Sequence, residues 1–360
     1  MTSDITFMQE ALKEAQSVKG KTSPNPAVGA IIVKDGAVIG RGATSPVGGP
    51  HAEVNAIESV TGSCVGATIY VTLEPCNHWG RTPPCSERIV KEGFSRVVIA
   101  ILDPNPKVAG SGVKTIEDAG IEVSIGLLND EAHRINEEFF YYIVSRRPWV
   151  TLKVAMTLDG KVADSSGSSK WITNERSRAF VHELRAKHSA IGVGRGTLES
   201  DNPKLNVRGY SGDDPIRVVF ASTTDIGRGS YFREHAGDVK TIICVAGGVA
   251  EEVVLASDGV EYWYTGSRDY IDSFSNFLDM AYEREIDSLF IEGGASLIKT
   301  LLDGDFVNRL YIFYAPKIVG SGISGLTTSK TVSMADALNL KNVEFRELGD
   351  NFMVTGLLQN

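Results

Sequence analysis

The sequence predicts an α/β protein of two domains, and three observations carry that expectation. The chain has 360 residues, too many for one ordinary hydrophobic core. Short apolar segments rich in β-branched and aromatic residues alternate with helical patterns along most of its length. Arg146-Arg147-Pro148 interrupts the pattern, because proline disfavours helix in the residue before it, so we place one domain at residues 1–146 and the other at 147–360.

In chain order, the first element is a surface helix from Met1 to Gly20, where Phe7, Met8, Ala11, Leu12 and Ala15 recur at helical spacing among Asp4, Glu10 and Glu14. Val28 to Val33, Thr68 to Leu73 and Arg96 to Leu102 read as strands. Asp35-Gly36, between Ile31-Ile32-Val33 and Val38-Ile39, predicts a hairpin, since such a turn needs positive φ. Val54 to Val60 reads as a helix after the Gly48-Gly49-Pro50 turn, and Glu131 to Val144 as another. The second domain restarts with a strand from Trp149 to Met156, passes a polar loop from Asp164 to Lys170, and enters a helix around Glu175 to Lys187. Ala190 to Val193, Ile216 to Ala221, Thr241 to Val245, Ser288 to Ile291 and Leu310 to Tyr314 follow as short strands, with late antiparallel strands at Val343 to Phe345 and Met353 to Leu358.

Composition removes several function classes. A net charge of −9 argues against a broad phosphate-backbone surface and so against nucleic acid as a partner, although local arginines can still hold a small anion. The start lacks the plan of a secretory signal and no segment is apolar enough to span a bilayer, so we expect a cytoplasmic protein with no membrane partner. In that reducing compartment the four cysteines are material for metal binding or burial rather than disulfides.

Two of them stand in a metal-binding context. His51-Ala52-Glu53 opens a helix, and Pro75-Cys76 and Pro84-Cys85 follow with eight residues between the cysteines. One histidine and two thiolates are three zinc ligands, which leaves a fourth tetrahedral position for water. Zinc lowers the pKa of such a water, and the nearby Glu53 is placed to act as general acid and base rather than as ligand, so the set suits hydrolytic deamination of a heterocycle. A closed structural site completed by His78 is the competing reading, and it leaves Glu53 and the proline turns without a role. Cys64 and Cys244 lie in apolar segments without metal-spaced partners and read as buried small hydrophobes.

The second domain offers a weaker signal. From Ile291, Glu292-Gly293-Gly294-Ala295-Ser296-Leu297-Ile298-Lys299 runs from a predicted strand through a double glycine into a helix, a turn that can aim N–H groups at a pyrophosphate. It reads equally as a tight strand-to-helix connection, and the G-x-G-x-x-G fingerprint is absent.

The His-x-Glu and Pro-Cys pattern resembles the cytidine-deaminase superfamily, with a departure: Asn77 to Pro84 stands where two residues are usual. That long spacer, with Ser23-Pro24-Asn25-Pro26-Ala27-Val28-Gly29 and the segment from Asp103 to Gly112, is similar to the deaminases of riboflavin biosynthesis. Lys153 to Lys161, Ser169 to Thr173, Gly194 to Thr197 and Asp201 to Arg208 resemble that pathway's reductase domain. The resemblance covers almost the whole chain. It implies a cytidine-deaminase-like α/β/α domain followed by a dihydrofolate-reductase-like α/β domain, one Zn2+ per chain and NADPH. The implied activity is deamination of a phosphorylated diaminopyrimidine and then reduction of its ribosyl group to ribityl.

Carried over position by position, the resemblance implies NADPH contacts at Ala155, Trp171, Thr197, Asp201, Ser222 and the turn from Gly293 to Lys299. Substrate contacts are implied at Ser169, Arg185, Leu205, Arg208 and Glu292. In the first domain Asn25, His78, Arg81, Asp103 and Asn105 are candidates to hold substrate, although His78 and Arg81 also suit a solvated loop. Arg185 and Arg208 carry guanidinium forks suited to a 5′-phosphate, and equally suit a solvated helix face and a surface loop. Lys153 and Glu292 are candidates to polarise or protonate the sugar, or to orient it, and the sequence leaves both roles open. We expect a homo-oligomer acting on a small phosphorylated pyrimidine.

Overall fold

Two units make up the computed structural model, Met1–Arg146 and Arg147–Asn360. It describes residues 2–79, 83–105, 109–227, 229–330 and 333–358.

The first unit begins with α1 (Thr2–Val18), whose Met8, Ala11, Leu12 and Ala15 are buried against the sheet. Strands β1 (Gly29–Lys34) and β2 (Ala37–Ala43) form the hairpin around Asp35 and Gly36, at φ 51° and 78°. There follow α2 (Ala52–Glu58), β3 (Thr68–Val71), α3 (Cys85–Glu92), β4 (Arg96–Ile99), α4 (Ser111–Asp118), β5 (Glu122–Ile125), α5 (Asn129–Ile135) and α6 (Glu137–Ser145). The sheet order is β2-β1-β3-β4-β5; β1 is antiparallel to both its neighbours, and β3, β4 and β5 run parallel. One face packs on α1 and α5, the other on α2, α3 and α4, which gives three layers. Gly29 lets α1 lie against β1: a Cβ there would sit 1.9 Å from the Ala11 carbonyl oxygen.

The helix expected from Glu131 to Val144 is two helices, broken at Asn136 (φ −116°, ψ 21°). The buried Asn136 side chain accepts from Ala27 N at 2.8 Å and donates to Ala27 O at 2.9 Å, and this tertiary bond overrides the local helical pattern.

The second unit runs β6 (Trp149–Thr157), β7 (Lys161–Asp164), α7 (Glu175–Arg185), β8 (Ala190–Gly194), α8 (Arg195–Asp201), β9 (Ile216–Ala221), α9 (Tyr231–Glu234) and β10 (Thr241–Val245). It continues with β11 (Val253–Leu255), β12 (Val260–Tyr264), α10 (Tyr270–Tyr282), β13 (Ser288–Ile291), α11 (Ala295–Asp303), β14 (Arg309–Ala315), β15 (Gly322–Ser324), β16 (Leu340–Leu348) and β17 (Asn351–Leu358). Ten strands form one sheet in the order β11-β12-β10-β9-β8-β13-β6-β14-β17-β16. From β12 to β14 all neighbours are parallel, and β11, β17 and β16 pair antiparallel. Strands such as β13, buried along its whole length, are the unbroken apolar runs expected of a parallel sheet covered on both faces. Here α10 and α11 cover one face and α7, α8 and α9 the other. Among the described residues no helix is long and apolar enough to cross a membrane.

Candidate active sites

His51 stands just before α2 in extended backbone, Cys76 lies in the loop after β3, and Cys85 opens α3. His51 Nδ1 is 3.5 Å from Cys76 Sγ and 3.3 Å from Cys85 Sγ, and the three donor atoms lie within 4.8 Å of one another. A tetrahedral zinc with ordinary Zn–N and Zn–S bonds holds such atoms about 3.5 Å apart, so both the donor set and its spacing fit that ion. No other cluster of this kind occurs among the described residues. His78 is exposed and outside the cluster, so the closed two-cysteine, two-histidine arrangement is not formed there.

The site favours a thiolate. Hydrogen bonds from the Cys85 side chain, from His51 and from the Cys85 N–H at 3.4 Å hold the Cys76 thiol well below its usual range, against the cost of burial. Its bond to Cys76 and burial push the Cys85 thiol up in turn. Glu53, in the first turn of α2, is buried, and that burial, reinforced by the charge of Cys76, pushes its carboxyl up to about 7. Cys64 and Cys244 are buried in the two cores, away from this cluster.

A residue that sequence reasoning missed organises the surroundings. Glu74, buried beside Pro75-Cys76, accepts from Asp103 N at 3.2 Å and Gly110 N at 3.0 Å with one oxygen, and from Gly112 N at 3.0 Å and Val113 N at 3.3 Å with the other. Gly112 is required there, because a Cβ would lie 2.0 Å from the Pro75 carbonyl oxygen. The signal was legible: an acid at the end of a buried apolar strand needs partners. Asp103 is thereby brought toward the cluster; burial raises its pKa, and the charges of His78 and Cys76 both reach it. Asn105 N donates to Asp103 at 2.9 Å. Asn25 is held in a turn, donating from its N–H to Thr22 O at 2.8 Å, with no hydrogen bond to the cluster. Arg81 lies outside the described residues.

In the second unit a cleft of about 1000 Å³ opens at the carboxyl ends of the parallel strands, where ligands of open α/β sheets bind. Gly194 leads from β8 into α8 and Gly293-Gly294 from β13 into α11, side by side on adjacent strands. The two turns approach closely, since a Cβ on Gly294 would come within 3.1 Å of Thr197 Oγ1. Every residue of the predicted reductase set lines this cleft except Ile298 and Lys299. One turn into α11, the Ile298 side chain is fully buried in the core, and the Lys299 side chain turns to Asp303 and, at 2.9 Å, to Ser329 Oγ.

The charged floor of the cleft is one connected chain. Glu292 Oε1 accepts from Arg185 Nε at 2.6 Å, and its Oε2 lies 3.6 Å from Lys153 Nζ. Burial alone would raise the Glu292 pKa, but Arg185 and Lys153 overcome it and hold the carboxyl at about 2. Arg185 Nη1 also donates to Asn206 O at 3.0 Å, so its fork is partly engaged within the protein. Arg208 is exposed, and its N–H lies 3.2 Å from His182 Nδ1, a cleft residue that sequence reasoning missed. Trp171 is 67% exposed with the Arg178 guanidinium 4.8 Å from its ring centroid. Asp201 Oδ1 lies 3.6 Å from Lys170 Nζ.

The chain is 38% identical to riboflavin biosynthesis protein RibD of Aquifex aeolicus, across 98% of this chain and 97% of the relative. The RibD of Escherichia coli is 36% identical, across 96% of this chain and 97% of its own length. The chain belongs to the RibD family. Its profiles agree unit by unit: the cytidine and deoxycytidylate deaminase zinc-binding region matches residues 1–101, and the RibD C-terminal domain matches residues 148–354. Among solved structures, RibD of Acinetobacter baumannii superposes with a TM-score of 0.89 at 34% identity, covering 100% of this chain and 99% of that one. A Thermotoga maritima protein described as a diaminohydroxyphosphoribosylaminopyrimidine deaminase and 5-amino-6-(5-phosphoribosylamino)uracil reductase superposes at 0.87 with 37% identity, covering 99% of both chains. As a RibD protein the chain is a bifunctional deaminase and reductase of riboflavin biosynthesis acting on a small pyrimidine, with a zinc site and an NADPH-using domain.

Proposed function

We propose that residues 1–146 hydrolyse the 2-amino group from 2,5-diamino-6-(5-phosphoribosylamino)pyrimidin-4(3H)-one, and that residues 147–360 then reduce the ribosyl group of 5-amino-6-(5-phosphoribosylamino)uracil to ribityl. The observation that carries the reading is the buried Glu53 carboxyl beside the His51, Cys76 and Cys85 donor set. His51, Cys76 and Cys85 would hold zinc, which would supply Lewis acidity to a water. Glu53 takes one proton from water and gives it to the ring nitrogen, then carries the proton of the added hydroxyl to the departing ammonia as the carbonyl forms. Asn25, His78, Arg81, Asp103 and Asn105 hold the pyrimidine.

In the second unit Ala155, Trp171, Thr197, Asp201, Ser222 and the turn from Gly293 to Lys299 would hold NADPH, which would supply the hydride. Ser169, Leu205 and Glu292 position the sugar, and Arg185 and Arg208 hold its phosphate through charge-assisted bonds. The furanose must open before C1′ can accept hydride, and Lys153, poised by Glu292, protonates or polarises it. We infer further that the enzyme is a cytoplasmic homo-oligomer with no nucleic-acid partner.

Glu53→Gln tests both the role and the order. The substitution leaves the three ligands in place and removes the proton carrier, so zinc content should hold while deamination falls by about 10²-fold or more. Supplied with the diaminopyrimidine and NADPH, the variant should oxidise almost no cofactor; supplied with the deaminated uracil, it should match the wild type. Brisk NADPH oxidation on the diamino compound would reverse the order.

A further inference from the structure

The two arginines read above as phosphate ligands leave their end of the cleft incomplete. Arg185 commits Nε to Glu292 at 2.6 Å and Nη1 to Asn206 O at 3.0 Å, so only part of its fork is left for an anion. Arg208 is exposed, and among the described residues it forms no ion pair that would fix its guanidinium. A phosphate accepts at all of its outer oxygens, more than one half-engaged fork and one unanchored fork can serve.

His182 stands beside both arginines. It lies in the last turn of α7, three residues before Arg185 and therefore on the same helix face, and it is half-buried in the wall of the cleft. The charges of Arg185, Arg208 and Glu292 all reach it, while its neighbour Glu183 pairs with Lys187 instead. Both contacts of the ring use Nδ1: Asn206 O is 2.9 Å away and Arg208 N is 3.2 Å away. Those atoms belong to the loop from Leu205 to Arg208, so Nδ1 anchors the ring against backbone that flanks two expected substrate contacts. Nε2 makes no hydrogen bond among the described residues.

That second nitrogen can present a hydrogen to an anion in either state of the ring. When Nδ1 accepts from Arg208 N–H, the neutral imidazole carries its hydrogen on Nε2. When Nδ1 donates to Asn206 O, a further proton taken up by the ring sits on Nε2 as well. Burial and the charges of Arg185 and Arg208 hold the His182 pKa below its ordinary 6.5. A phosphate dianion set among the three groups offsets the arginines and favours the imidazolium. We propose that His182 is a further substrate-binding residue of the reductase cleft, donating from Nε2 to the 5′-phosphate alongside Arg185 and Arg208. The proposal rests on the reading of those arginines given above and adds the group that completes their site.

Two amide substitutions in the full-length protein separate this role from a structural one, because each reproduces one ring nitrogen. His182→Asn keeps an amide near Nδ1 to hold Asn206 O and loses the phosphate contact. KM for the phosphorylated aminouracil should rise by about tenfold or more, with kcat changed by less than about twofold. His182→Gln carries its amide toward the place of Nε2 and should recover most of that loss. On the dephosphorylated aminouracil, wild type and His182→Asn should share one kcat/KM, and KM for NADPH should stay unchanged throughout. A ring that only holds the loop would give the opposite order, with His182→Asn matching the wild type and His182→Gln impaired on both substrates; that result would overturn the proposal. Arg208→Ala tests the reading beneath it. If Arg208→Ala loses the preference for phosphorylated substrate and His182→Asn retains it, His182 alone leaves the site. If both variants retain it, the phosphate is held elsewhere and both readings fall.

Discussion

At the scale of single residues, Glu292 links Arg185 to Lys153, and each cation depends on it. Burial pulls the Lys153 pKa below its ordinary 10.5, and the Glu292 carboxylate pulls it part of the way back. Glu292→Gln removes the second influence and keeps the first, so the Lys153 pKa should fall further. Where protonated Lys153 serves the reduction, activity is lost as pH rises through that pKa. The basic limb of the kcat/KM profile should therefore lie below 10.5 in the wild type and move to lower pH in the variant. An unmoved limb would remove Lys153 from the role. Glu292 itself, held at about 2, should add no acidic limb in the working range. Both residues were legible as charged groups at strands; that Arg185 is half engaged by Glu292 and Asn206 was not, because those partners come from separate elements.

Individual elements show where the sequence spoke and where it fell silent. Asp35-Gly36 and the unbroken apolar runs of β8, β10 and β13 are local signals, and the structure has those elements where they were expected. The end of α5 was hidden, because Asn136 leaves the helical pattern for a bond to Ala27, more than a hundred positions earlier. Strand β5 was missed because Glu122 and Ile125 are both exposed and only Val123 is strongly apolar between them. In the deaminase site the three metal donors were legible from their spacing, whereas the loop support was not. Glu74→Gln should cost about 1–3 kcal/mol, since an amide has only one acceptor oxygen for N–H groups that the carboxylate now shares between two. The measurable consequence beyond lower thermal stability is kinetic: KM for deamination should rise several-fold with reduction unchanged. Equal KM values in the two proteins would leave Glu74 a purely structural part.

For the whole molecule, the two chemistries stand on separate units with separate cores. Metal removal should therefore discriminate between them. Dialysis against a strong chelator should abolish deamination and leave NADPH oxidation on the deaminated uracil at its original rate, with deamination recovered on adding back zinc. Loss of both activities together would mean that the metal supports the reductase unit as well.

The two sheets also differ in when they can be finished. In the first unit the order β2-β1-β3-β4-β5 keeps each strand beside one made shortly before it, so contacts close almost as quickly as the chain lengthens. In the second, β13 enters the middle of the sheet, between β8 and β6, long after both have been synthesised. Since Glu292 and the Gly293-Gly294 turn follow β13 directly, the floor of the cleft joins β6, the first strand of that unit, to residues made well over a hundred positions later. On a ribosome, where the amino end folds first, the deaminase is complete while its companion is still an open half-sheet waiting for its central strand.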